Sequence, residues 1–136
     1  MKTALQIKTR RAGFTLVEIM IVVAIIALLA AIAVPNFLRA RKRSQATRVL
    51  EDLRMIDSAI DQYAIETNKV SGAAVAWNDV KAYLKTGSAL YNSGGKDLFG
   101  NDFTAPFAVD TLPTVPGTTK TNLSDVAPPE FWSPFQ

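Results

Sequence analysis

The chain has 136 residues, 49% of them hydrophobic, and a formal charge of +3 with neither cysteine nor histidine. Without cysteine there is no disulfide or thiol chemistry, and without histidine the commonest general base and a usual metal ligand are missing. Lys2, Lys8, Arg10 and Arg11 stand ahead of the first long apolar run; without residues 1–13 the formal charge is −1, so overall basicity gives no ground for a nucleic-acid partner.

Residues 1–13 read as a short basic leader. Their apolar members (Met1, Ala4, Leu5, Ile7, Ala12) are scattered and form no secretory-type apolar core. Residues 14–35 form the membrane half of a long helix. From Ile19 to Val34 there is no polar side chain, and back to Phe14 only Thr15 and Glu18 interrupt the run. At about 1.5 Å per residue this covers roughly 31 Å, the thickness of a bilayer's hydrocarbon core. Glu18 is the exception that needs a reason. A carboxylate inside such a span costs roughly a few kcal/mol and calls for a partner or for access to the interface.

Pro35 follows the run and is expected to kink the helix, since it removes one backbone hydrogen bond and crowds the carbonyl of Ala31. Residues 36–67 are the amphipathic half. Arg39, Arg41, Lys42 and Arg43 come first, at the level of phospholipid headgroups or on a solvated face. Positive charge on both sides of the span leaves orientation open to the positive-inside rule. Ala46, Val49, Leu53, Ile56, Ile60 and Tyr63 then recur at alternating spacings of three and four, one face of a helix. Uninterrupted from Phe14 to Thr67, the helix extends roughly 80 Å.

Residues 68–136 read as a small globular region against which that face packs, giving an α+β chain. Residues 77–84 predict a short helix with Asn78 as its N-cap. Asn92-Ser93-Gly94-Gly95 and Gly100-Asn101 predict turns. Residues 103–109 predict a strand interrupted at Pro106, and residues 111–123 one or two short strands joined by a turn at Pro116-Gly117. Phe131, Trp132 and Phe135 in the tail are expected to pack back onto the domain.

Lys8-Thr9-Arg10-Arg11-Ala12-Gly13-Phe14-Thr15-Leu16-Val17-Glu18, followed by the apolar run, resembles the processing site of type IV prepilins and of type II secretion pseudopilins. The resemblance implies a pilin-like fold and cleavage after Gly13 by a dedicated membrane peptidase, which then methylates the new amine of Phe14. It places the leader in the cytoplasm and the C-terminal region in the periplasm. Glu18 matches the family's glutamate and Pro35 its proline. Asp97-Leu98-Phe99-Gly100-Asn101-Asp102-Phe103 resembles in part a loop of major pseudopilins, which often hold calcium in a C-terminal loop. On that resemblance Asp97, Asp102, Asp125 and Glu130 are candidate ligands, with Asn101 and Asp110 nearby, although no regular ligand spacing is present.

No nucleophile–base pair and no Gly-rich phosphate loop occurs, so an enzyme is not expected. The resemblance implies a structural subunit of a homo-oligomeric filament anchored in the inner membrane, with prepilin peptidase, an inner-membrane assembly platform and minor pilin-like subunits as partners. A type II secretion pseudopilin leads, on the absent cysteine, the small C-terminal region and the Gly100-Asn101 loop. A type IV pilus subunit for adhesion, motility or DNA uptake stands beside it. A monomeric signal-anchored periplasmic binding protein would explain the span but neither Glu18 nor the Gly13-Phe14 junction.

Overall fold

The computed structural model describes residues 13–103 and 106–136. The leader residues 1–12, with Lys2, Lys8, Arg10 and Arg11, and residues 104–105 of the expected strand lie outside the described residues. Helix α1 runs over Leu16–Thr67 with Pro35 inside it. Its N-terminus is closed by Thr15 and Glu18, its C-terminus by Asn68 in the left-handed conformation (φ 51°). The Lys69 amide reaches back to the Ala64 carbonyl at 3.0 Å, the long-range bond that ends a helix on such a residue.

The chain divides into two compact units, one ending at Phe37 and the other Leu38–Gln136. In the first, the described part of α1 leaves its apolar side chains exposed, Ile19, Ile26 and Leu29 among them. By length and composition this helix is able to cross a membrane.

In the second unit, α1 buries Ala46, Val49, Leu53, Ile56 and Ile60, the stripe that the alternating spacing defines, and adds Leu50 and Ala59. Tyr63 packs at the edge of this core and meets Tyr83 edge to face, the ring centroids 6.3 Å apart. Strand β1 (Ala74–Val75) pairs antiparallel with β2 (Phe107–Ala108), Ala74 opposite Ala108 and Val75 opposite Phe107. Val75 and Phe107 are buried and so bring the ribbon onto the core of α1. The architecture is α+β and pilin-like: one long helix, short helices and a two-stranded sheet.

Three expectations need correction. Helix α2 spans Trp77–Ala82, and Asn78 lies inside it rather than at its cap. The free amide of Ala76 is taken instead by Asp79, at 3.1 Å, because a carboxylate three residues along reaches back where Asn78 cannot. The residues before the turn at Gly94 form a helix, α3 (Ala89–Ser93), capped by Ser88, whose hydroxyl accepts from the Tyr91 amide at 3.2 Å. The strands expected in residues 111–123 are absent. Gly117–Asn122 is helix α4, started at Pro116, whose carbonyl accepts from the Lys120 amide at 3.1 Å. The threonines of this stretch favour strands by propensity, but burial of Thr119 and Leu123 on one side decides for the helix. The tail behaves as expected. Pro129–Trp132 forms a 3-10 turn, and Trp132 and Phe135 are buried in the core.

Candidate processing and assembly site

Glu18 and Thr15 form a reciprocal pair at the start of α1. One Glu18 carboxylate oxygen, Oε2, accepts from the Thr15 amide at 2.8 Å and from the Thr15 hydroxyl at 2.9 Å. The Glu18 amide donates back to Thr15 Oγ1 at 3.2 Å. This is a capping box: two of the four orphan amides of a helix start are satisfied by two side chains three residues apart. Glu18 therefore has a local use besides any assembly role, and Thr15 is the residue that the sequence reading passed over. Its signal was in plain view, a Thr-x-x-Glu spacing directly before an apolar run.

Gly13 and Phe14 precede the helix, and Phe14 is 87% exposed. Among the described residues, a side chain built on Gly13 would meet no atom within 4 Å, and its φ lies outside the left-handed region. Neither backbone conformation nor packing against the described residues therefore requires glycine there. An accessible glycine with no structural need, next to an exposed aromatic residue and one turn before a membrane carboxylate, fits recognition by another protein better than folding.

Pro35 lies in the uninterrupted helix two residues before the boundary between the two units. Beyond it, Arg39, Arg41 and Arg43 are exposed, whereas Lys42 donates to Asp125 at 2.9 Å. The hydrogen bond from Lys42 holds the Asp125 carboxyl below the usual carboxylate range.

Residues 8–34 match the family described as "Prokaryotic N-terminal methylation motif". The type IV major fimbrial protein FimA of Dichelobacter nodosus is 37% identical over 98 residues, 72% of this chain and 56% of that protein. Type II secretion system core protein G of Aeromonas hydrophila is 32% identical over 62 residues, 46% of this chain and 43% of that one. The type IV major pilin protein PilA of Myxococcus xanthus is 43% identical over 65 residues, 48% and 30% respectively. The chain thus carries the N-terminal methylation motif, and its relatives are type IV pilins and type II secretion system core protein G. It spans about half the length of the first curated relatives that it matches. No solved structure matches it significantly. The N-terminal glycine, phenylalanine and glutamate lie inside the matched motif, and the relatives are structural proteins rather than enzymes.

The C-terminal carboxylates do different things. Asp97 is buried, and its Oδ1 accepts from the amides of Phe99 and Asn101, each at 2.9 Å. Its Oδ2 accepts from the Thr119 hydroxyl, which in turn accepts from the Asn101 amide group at 2.9 Å. Gly100, at φ 83°, closes the turn. Asp97 thus ties the loop of residues 97–101 to α4. Asp102 pairs with Lys96 at 3.0 Å, Asp125 with Lys42, and Glu130 is exposed in the 3-10 turn. Among the described residues, no three carboxylates come together in a group able to hold a metal ion.

Proposed function

We propose that this chain is a structural subunit of a type IV pilin-like filament, made as a single-pass inner-membrane precursor, cut after Gly13 and polymerised through α1. The observation that carries the reading is Glu18. It is one carboxylate in an exposed apolar helix, held by Thr15 one turn from the Gly13-Phe14 junction. Cleavage at that junction creates a cationic amine on Phe14. Oε2 is occupied by Thr15, while Oε1 has no hydrogen bond among the described residues, so it could meet such an amine on a neighbouring copy. In a low-dielectric surrounding, pairing between copies neutralises both charges, whereas separation leaves each uncompensated. Lateral association of the helices then becomes the favourable state.

The test is Glu18→Ala in cells that carry a prepilin peptidase and an assembly platform. Filaments should be lost while the variant still accumulates in the membrane, its insertion eased by roughly the few kcal/mol that a membrane carboxylate costs. Normal filaments from the variant would reduce Glu18 to a helix cap.

The pseudopilin form of this reading is supported by the lack of cysteine and by the short loop of residues 97–101, closed by Asp97 without a disulfide. The pilus form is supported by the longer match to the fimbrial protein, 98 residues against 62 for the secretion core protein. Deleting either assembly system in turn separates them, since filaments should disappear only with the system that builds them.

A further inference from the structure

The charges on the extramembrane half of α1 are segregated along its length. Arg39, Arg41, Lys42, Arg43 and Arg48 come first, with no acid among residues 36–50. Glu51, Asp52, Asp57, Asp61 and Glu66 follow, with Arg54 as the one base among them. Three pairs of opposite charges recur at one fixed interval. Arg39 and Asp57, Arg43 and Asp61, and Arg48 and Glu66 are each 18 residues apart. In a helix this is about five whole turns, so the two members of each pair lie on the same side and roughly 27 Å apart along the axis. The helix is unbroken over this stretch, with Pro35 outside it.

Within a single subunit the members of a pair are too far apart to interact. Among the described residues Arg39, Arg41, Arg43, Asp57 and Asp61 form no ion pair, although, behind the Lys42 hydrogen bond, the Arg39 charge helps to lower the Asp125 carboxyl. Asp57 and Asp61, four residues apart, face the same way and repel; burial first and then this neighbour raise the Asp57 carboxyl above its usual range. No base stands in the last turn, where the helix dipole would favour one. All three arginines, with Asp61 and Glu66, are exposed and Asp57 is half-buried, so they can meet another molecule.

We infer that this face of α1 is an electrostatic ruler for a second copy of the same chain, setting the axial offset of neighbouring parallel helices near 18 residues. At that offset Arg39 and Arg43 of one copy stand level with Asp57 and Asp61 of the next on the side they share. Arg48 and Glu66, about two and a half turns further along, lie on the opposite side of the helix and take no part in that contact. At zero offset arginine meets arginine and acid meets acid. The same charges thus favour one stagger and oppose the unstaggered alignment. The inference rests on the filament reading and adds the register to it. It concerns the amphipathic half and is independent of Glu18.

The full-length chain tests it by charge reversal. Asp57→Arg with Asp61→Arg should cut filament yield roughly tenfold or more, as like charges then face each other across the contact. Arg39→Asp with Arg43→Asp should do the same. All four substitutions in one chain should restore filaments, and so should co-expression of the two defective chains. Normal filaments from either reversed chain, or failure of both the combined chain and the mixture to recover, overturns the ruler. A second measurement does not depend on reversed charges. Because the chain has no cysteine, Ser44→Cys and Gln62→Cys, again 18 residues apart, can be placed singly in two co-expressed chains and joined with a short bismaleimide. The expected product is the mixed 44–62 dimer, and predominant 44–44 dimers would overturn the proposal. Absence of filaments from the unaltered chain would defeat the filament reading itself, a result distinct from either of these.

Discussion

Two carboxylates show how one residue type serves opposite ends. Glu18 sits in an apolar helix yet gains two donors from Thr15, so the capping box gives it a definite position before any partner arrives. Asp52 is the contrary case. It is 4% exposed on the core face of α1, and its Oδ1 has no hydrogen-bond partner among the described residues. Burial raises its carboxyl above the usual 3.8; Arg48 opposes the shift, and Glu51 and Asp97 add to it. A carboxyl raised in the folded state binds its proton more tightly there than in the unfolded chain, so this group weakens the fold as pH rises from 3.8 through its raised value. Asp52→Asn should therefore stabilise the unit of residues 38–136 at neutral pH and remove that part of its gain on mild acidification. Urea melts of both proteins at pH 4.5 and 7 measure it; a variant less stable than the parent at pH 7 would mean that the ionised carboxylate has a partner.

At the scale of elements, α1 was legible because its two halves announce themselves differently: an unbroken apolar run, then a stripe at spacings of three and four that the structure buries from Ala46 to Ile60 and leaves half-buried at Tyr63. The methylation motif was legible for a similar reason, its glycine, phenylalanine and glutamate being close together in sequence. The short elements were not. Helices α3 and α4 have five and six residues, too few for a period to show, and their formation depends on caps and on distant packing partners. The link between the loop of residues 97–101 and α4 was equally hidden, since Thr119 is 22 residues from Asp97 and nothing local marks it. That link makes a definite prediction. Thr119→Val keeps the shape but leaves a buried carboxylate oxygen without its donor. It should cost roughly 1–3 kcal/mol of stability. Thermal melting of residues 38–136 reads it, and an unchanged midpoint would show that the turn's two backbone amides suffice.

For the whole molecule, the two units divide the work. The unit that ends at Phe37 offers its environment an apolar helix and one carboxylate, which only lipid or other copies can cover. Leu38–Gln136 has its own core of helix, ribbon and tail aromatics, and displays charge on α1. On the function proposed above, this form is the membrane precursor, and the charge that processing would create on Phe14 would turn it into a polymerising one. The account thus depends on the cut after Gly13 more than on any other event. Intact-mass and N-terminal peptide mass spectrometry of the membrane-extracted protein, co-expressed with an active prepilin peptidase, tests that event. The account predicts a chain that begins at Phe14 and carries one methyl group on its amine, and a Gly13→Leu variant that stays uncut in the same membranes. A wild-type chain that still begins at Met1 beside the active peptidase would contradict it.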